Sequence, residues 1–316
     1  MQQPRAKSQR QITVRRFGWS NASQAEAEQM ARQRAQESLT RLVAGESLPR
    51  HEPRKGYNGA AGVPIREEIL EQHGDVVITR NSYGARCLNT PDVVFADIDF
   101  SSAPRLRTVL LHGAVLVVAA ALISAWLHSG LAVFISALVV LLGTYPFAIA
   151  THQLLLRLRG GPEKAAMARL RSFLSRHPDW HLRLYRTPAG FRVLVMHSPY
   201  TAGDPRVREF FAALGVDPVY ARMCLHQDCF RARVSPKPWR IGITGHLRPR
   251  PGLWPVHPDR LPLRQAWVSN YERIANRYAS CRFLESLGSG TGHPQTEAVR
   301  QLHDHAAQAL SQREIA

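Results

Sequence analysis

TVLLHGAVLVVAAALISAWL (residues 108–127) and LAVFISALVVLLGTYPFAIA (residues 131–150) decide the fold of this chain, because they divide all other segments into two flanks. Residues 108–156 contain no Asp, Glu, Lys or Arg. LHSG at residues 127–130 splits this run into two segments of about 20 residues, the length that a helix needs to cross a bilayer. Apolarity on all faces over two such lengths disfavours a hairpin buried in a soluble core. We therefore predict a transmembrane helical hairpin over residues 108–156, with spans at about 108–127 and 131–150.

The charges next to the hairpin predict its orientation. Arg105 and Arg107 precede the first span, Arg157, Arg159 and Lys164 follow the second, and the turn carries no cation. Because positive residues stay on the cytoplasmic side of a membrane, both flanks and both termini are expected in the cytoplasm. The predicted location is the inner membrane, with two passes through it.

The overall charge indicates an anionic partner. The 316 residues include 41 Lys and Arg against 24 Asp and Glu, a net charge of +17. This balance favours nucleic acid, nucleotides or an anionic membrane surface, although membrane topology alone also selects an Arg-rich cytoplasmic face. The 45% of hydrophobic residues suffices for a packed core.

The flanks have the pattern of an α+β fold. Periodicity and turn residues favour a split βαβ or ferredoxin-like sheet with helices on one face, in which residues 1–107 and 157–250 form a single domain that the hairpin interrupts. Residues 251–316 are expected to be helical. We predict helices at residues 23–45, 163–177, 204–215, 263–288 and 295–312, a short helix within residues 57–75, and strands at residues 11–19, 76–80, 85–89, 93–100, 180–187, 191–197 and 230–235. Ser23 and Glu26 are a predicted capping box at the start of the first helix, and NSYG at residues 81–84 predicts a hairpin turn.

DVVFADIDF at residues 92–100 places two carboxylates at the end of an apolar strand. Residues two apart share one face of a strand, so Asp97 and Asp99 project together. Two adjacent carboxylates can hold Mg²⁺ or Mn²⁺, and such ions catalyse phosphoryl transfer. Asp97 and Asp99 are therefore candidate metal ligands and catalytic residues. The alternative is a solvated strand end.

Together with DVVFADIDF, the stretches YRTPAGFRVLVMH (residues 185–197) and FRARVSPKPWRIG (residues 230–242) resemble the archaeo-eukaryotic primase and primase-polymerase superfamily. The resemblance covers roughly residues 75–100 and 180–242. It implies a metal-dependent nucleotidyltransferase-like domain, active or degenerate, in which Asp97 and Asp99 bind the metal. It also implies that Arg192, which stands where the family has histidine, contacts phosphate, as do Arg233 and Lys237. His197 is a further phosphate-binding candidate.

Cations and aromatic residues alternate in the stretch from Cys229 to Trp254. Arg231 and Arg240 join Arg233 and Lys237 as phosphate-binding candidates, with Trp239 between them. Arginine beside aromatic rings suits phosphates with stacked bases, and it equally suits lipid headgroups. The simplest alternative is an irregular loop whose tryptophans cover the core.

CLHQDC at residues 224–229 supplies three candidate zinc ligands, Cys224, His226 and Cys229. A structural zinc ion takes four ligands, which Cys281, His246 or His257 would complete. The alternative is that the cysteines are reduced and buried as small apolar side chains.

Two functions fit these patterns. The first is a membrane-anchored protein whose cytoplasmic, primase-like domain binds a nucleotide or nucleic acid, with or without catalysis. The second is a noncatalytic, membrane-tethered interaction protein that binds anionic lipid or an acidic partner.

Overall fold

The computed structural model describes residues 13–18, 20, 23–48, 67–100, 104, 106–158, 160–252 and 254–316. The chain divides into two compact units, residues 1–65 and 66–316. Helix α1, Gln24–Val43, lies in the first unit, and the oxygen of the Ser23 side chain accepts a hydrogen bond from the Glu26 amide at 3.2 Å. The Ser23 half of the predicted capping box is confirmed. All other described elements belong to the second unit, which is a mixed α+β structure.

The two apolar segments form antiparallel helices α2, Leu106–Leu127, and α3, Gly130–Leu158. Both are long and apolar enough to cross a membrane, and most of their large side chains are exposed. Contacts between the helices include two polar pairs and one pair of rings: Ser124 donates to Ser136 at 3.3 Å, Thr151 contacts His112 at 2.9 Å, and the His112 and Phe147 rings meet edge to face at 5.3 Å. The sequence prediction of two membrane-length helices is confirmed.

The first sheet has the order β1-β2-β3-β7 and is antiparallel throughout. Asn81 closes the β2–β3 turn, because its side-chain oxygen accepts hydrogen bonds from the Tyr83 and Ala85 amides at 3.2 and 3.0 Å. This is the hairpin that the NSYG turn predicts. The strands are β1 Glu68–His73, β2 Val76–Arg80, β3 Arg86–Thr90 and β7 Phe230–Arg233.

The second sheet has the order β4-β6-β5-β9, also antiparallel throughout. Its strands are β4 Phe95–Asp99, β5 His181–Thr187, β6 Gly190–Val195 and β9 Arg282–Gly288. Since β4 and β5 both run opposite to the β6 strand between them, these three strands have the arrangement of a split βαβ unit, and the membrane-length hairpin lies in the crossover. The ferredoxin-like fold is not confirmed, because β9 pairs with β5 and not with β4.

Helices cover both faces of the second sheet. Arg186 of β5 bonds at 2.6 Å to Glu163 of helix α4, Pro162–Arg176. Arg183, on the opposite face of that strand, bonds at 3.0 Å to Asp304 of helix α8, Pro294–Ala307. The expectation of helices on one face was therefore wrong. The remaining elements are α4 Pro162–Arg176, α5 Pro205–Leu214, α6 Pro218–Gln227, α7 Leu261–Ala275, α8 Pro294–Ala307, and the short parallel pair β8 Tyr278–Ala279 with β10 Glu314–Ile315.

Three predicted elements differ from the structure. The helix expected at residues 263–288 ends at Ala275, and the last 7 residues of that range form β9, because RFLESLG completes the sheet beside β5. The helix expected within residues 57–75 is strand β1 where the structure describes it, and residues 57–66 lie outside the described part. Residues 13–18 contain no strand, and the rest of the strand expected at 11–19 lies outside the described residues.

Candidate phosphate-binding site

Asp97 of β4 lies opposite Arg192 of β6 in the sheet register. Arg192 Nε donates to Asp97 Oδ1 at 2.8 Å and Nη2 donates to Oδ2 at 3.1 Å, while Nη1 donates to the Arg233 carbonyl at 2.8 Å. The Arg192 side chain is 2% exposed and that of Asp97 is 34% exposed. Arg192 thus joins the β4 edge to strand β7. It is not placed to contact a phosphate, which contradicts the role that the resemblance implies.

The pairing also determines the charge of Asp97. Burial raises the pKa of this carboxyl, but the charge and hydrogen bonds of Arg192 outweigh burial, so its pKa lies below the usual range. Both carboxylate oxygens accept hydrogen bonds from Arg192. They do not fit the metal-bridging role, and no group of three His, Cys, Asp or Glu side chains within the described ranges is arranged to hold a metal ion.

Asp99 follows on the same face of β4 but is exposed at the strand end. Partial desolvation of its carboxyl, together with the nearby charges of Asp97 and Asp217, raises its pKa. Lys237 and Arg233 act in the opposite direction. The end of β4 is therefore the meeting point of carboxylates and cations from four segments of the chain.

The cations at this point form a cluster, defined here as Arg233, Lys237 and Arg240. Burial and the neighbouring charges of Arg233 and Arg240 lower the pKa of Lys237, and burial with the charge of Arg233 lowers that of Arg240. Arg233 Nε and Arg240 Nη1 are buried, and neither has a hydrogen-bond partner within the described part of the chain. No ion pair joins the cluster to a carboxylate among those residues. Its cations therefore have no directly paired carboxylate there, although the charges of Asp99 and Asp97 act on Lys237.

Two aromatic rings border the cation cluster. The Lys237 ammonium lies 5.4 Å from the ring centre of Trp239, and the Trp239 and Tyr83 rings meet edge to face at 5.3 Å. Trp239 is 57% exposed. The sequence stretch contains Trp239, but Tyr83 comes from the β2–β3 turn, more than 150 residues away, and no spacing signal connects the two.

Two other predicted phosphate contacts, Arg231 and His197, are not members of the cation cluster. Arg231 is buried and its Nη2 donates to Glu67 at 2.5 Å, so a carboxylate already neutralises it. His197 accepts a hydrogen bond from the His181 amide at 3.3 Å and packs on Trp180, at the other end of β6. It lies two residues beyond the end of β6, whereas Arg192 is the third residue of that strand. The pairing of Arg231 with Glu67 and the position of His197 therefore disfavour a phosphate site that both residues share with the cation cluster.

The predicted zinc ligands do not form a site. Cys224 is buried in α6, and burial raises its pKa to about 12; burial also raises the pKa of Cys229. All four cysteines are free thiols. Neither Cys281 nor the two candidate histidines, His246 and His257, completes a metal-binding group with CLHQDC in the part of the chain that the structure describes.

A buried polar network connects α8 to the second sheet, and sequence reasoning missed it. Asp304 accepts hydrogen bonds from Tyr185 at 2.7 Å and Arg183 at 3.0 Å. His303 lies between Asp304 at 3.2 Å and Arg192 at 3.4 Å. Cys281 Sγ is 3.8 Å from His303, but the thiol is fully buried and burial raises its pKa to about 12, so it is not a reactive nucleophile. The network fastens α8 to the sheet.

Comparison of the chain with protein-family models, curated proteins and solved structures finds no match in any of the three. The chemistry of the site itself is therefore the basis for a function.

Proposed function

We propose that this protein is a membrane-anchored, phosphate-binding protein, in which the cation cluster holds the phosphates of a nucleotide or a single-stranded nucleic acid. In this proposal α2 and α3 span the inner membrane and both termini are cytoplasmic. The observation that carries it is the concentration of Arg233, Lys237 and Arg240 at one strand end, where burial, and after it the charges of neighbouring cations, lower the pKa values of Lys237 and Arg240. A bound polyanion would neutralise this charge and satisfy the buried guanidinium nitrogens.

The aromatic border supports a nucleotide over a bare phosphate. Trp239 has an exposed ring next to Lys237, so a base that stacks on it would place its phosphate beside the cations. Stacking of this kind is worth about 1–3 kcal/mol per base and tolerates any base. Binding without strong sequence preference follows.

The protein is proposed to bind phosphate, as the primase-like resemblance implies, and not to catalyse nucleotidyl transfer. Asp97 is engaged with Arg192, and a catalytic pair of free carboxylates would require this pair to open. The protein is accordingly proposed as a degenerate, binding member of the type that the resemblance implies.

The test is an affinity measurement on the full-length protein in mild detergent. Fluorescence anisotropy with a labelled thymidine oligonucleotide in EDTA should show binding that Lys237→Gln combined with Arg240→Gln weakens at least tenfold. Since each phosphate contact adds about 0.7 to the salt slope for single strands, the slope should fall by about 1.4. Trp239→Ala should weaken binding further, whereas Trp239→Phe should retain most of it.

A matched control removes two exposed arginines elsewhere, Arg171→Gln with Arg277→Gln, and should leave the affinity nearly unchanged. Equal losses in the two double variants would reduce the effect to net charge and refute the site. Binding that disappears in EDTA and returns with Mn²⁺ would favour the metal-dependent alternative. Displacement of the oligonucleotide by anionic lipid micelles would favour the lipid-binding alternative.

A further inference from the structure

The N-terminal end of α2 and the C-terminal end of α3, here called the roots of the hairpin, carry a second set of cations, separate from the cation cluster. Arg107 lies in the first turn of α2 and Arg157 in the last turn of α3. The 2.9 Å contact between His112 and Thr151 brings the two helices together five and six residues from these arginines. At 1.5 Å per residue, both arginines lie about 8 or 9 Å beyond that contact, at the same end of the hairpin.

Lys164 belongs to the same group. It lies in the first turn of α4, and its Cδ is 2.6 Å from the position that a Cβ would take on Gly160. The aliphatic part of Lys164 therefore leans back over the connection between α3 and α4. We name Arg107, Arg157 and Lys164 the root collar; all three are exposed.

Carboxylates next to the root collar are scarce and already engaged. Residues 100–178 contain a single acidic residue, Glu163, against eight Lys and Arg. Glu163 accepts a hydrogen bond from Arg186 at 2.6 Å, and Arg186 also lies over the Phe100 ring at 4.9 Å. Arg186 thus ties together the segments on either side of the hairpin and occupies the local carboxylate. The collar is left without a counter-ion from this stretch.

We propose that the root collar binds the phosphates of anionic phospholipids in the leaflet that surrounds the hairpin. This inference rests on the membrane anchorage of the proposed function, and not on its phosphate-binding site. Each cation near an anionic bilayer surface adds to the attraction, which salt largely screens beyond a Debye length of about 10 Å. Cations at the helix ends lie within that distance of the headgroups.

The experiment measures lipid selection by the full-length protein. Protein in detergent is equilibrated with equal amounts of phosphatidylglycerol and phosphatidylcholine, and native mass spectrometry counts the lipids that stay bound. We expect an enrichment of phosphatidylglycerol of about tenfold or more for the wild type. The triple variant Arg107→Gln, Arg157→Gln, Lys164→Gln should bring the ratio close to one.

Two controls make the result specific. The first control removes the same charge from exposed positions elsewhere, by Arg222→Gln, Arg260→Gln and Arg277→Gln. The second control removes two cations of the cation cluster, by Lys237→Gln and Arg240→Gln. Both controls should keep the enrichment of phosphatidylglycerol. No enrichment in the wild type, an unchanged ratio in the collar variant, or an equal loss in either control would overturn the proposal. Carbonate extraction of membranes is run in parallel. Release of the protein by carbonate would overturn the membrane anchorage itself. Loss of lipid selection in a protein that resists carbonate would overturn only the lipid-binding role of the root collar.

Discussion

Removal of Asp97 should destabilise the second sheet more than removal of Arg192, although the two residues form one ion pair. The reason is the exposure of the partner that stays behind. In Asp97→Asn the Arg192 guanidinium remains in a site where it is 2% exposed, with its charge uncompensated. In Arg192→Met the Asp97 carboxylate is left with 34% of its side chain exposed, and water can hydrate it.

The magnitudes follow from this asymmetry. Breaking a buried ion pair from one side costs about 3–5 kcal/mol, so we expect about 4 kcal/mol for Asp97→Asn. For Arg192→Met we expect about 2 kcal/mol, since the stranded charge is partly solvated and the new side chain is apolar. At about 2–4 °C per kcal/mol for a domain of this size, the melting temperature should fall by about 8–16 °C and about 4–8 °C.

Thermal unfolding of the full-length protein in detergent, followed by tryptophan fluorescence, gives both values. The double variant should lose less than the sum of the single variants, because its two substitutions remove one shared interaction; the expected coupling is about 1–3 kcal/mol. Equal losses in the two single variants, the reverse order, or strict additivity in the double variant would refute the reasoning.

Three further predictions concern the same unit. The pKa of Asp97 is lower in the folded protein than in the unfolded chain. The ion pair with Arg192 should therefore stabilise the fold fully above an ordinary aspartate pKa of about 3.9, and this stabilisation should be lost as the pH falls through the pKa of the folded state. Melting temperatures of the wild type and Asp97→Asn should accordingly converge in acid. Gly190→Ala should weaken the pairing of β4 with β6 strongly, because the new Cβ would lie 2.0 Å from the Ile98 carbonyl oxygen. As a control, Gly203→Ala places its Cβ in open space and should change the melting temperature by less than about 2 °C. Similar shifts of the melting temperature in both variants would contradict this packing. Cys281 should resist maleimide in the native protein and react on unfolding, since burial raises its pKa to about 12, and peptide mapping after a short native labelling would reveal any exception.

Local patterns predict most elements of this chain because they depend on neighbours in sequence. Uninterrupted apolarity predicts α2 and α3, and the Ser23 cap and NSYG turn are short-range signals. Strand β9 was missed for the opposite reason: RFLESLG follows a helical pattern, and its pairing partner β5 lies about 100 residues earlier. A strand at a sheet edge is decided by the partner it completes, and local propensity is the weaker influence.

The candidate site shows the same division. Two uncharged runs of membrane length by themselves determined that a pair of apolar helices interrupts this basic protein. Strand periodicity determined that Asp97 and Asp99 share one face. Only the tertiary structure decided that Arg192 and Arg231 are neutralised by Asp97 and Glu67. Within the described residues, Arg233, Lys237 and Arg240 form no ion pair with a carboxylate. The physical reason is that a residue type specifies which charge a side chain carries, but whether that charge is available to a ligand depends on which carboxylate the folded chain brings within a few ångströms of it.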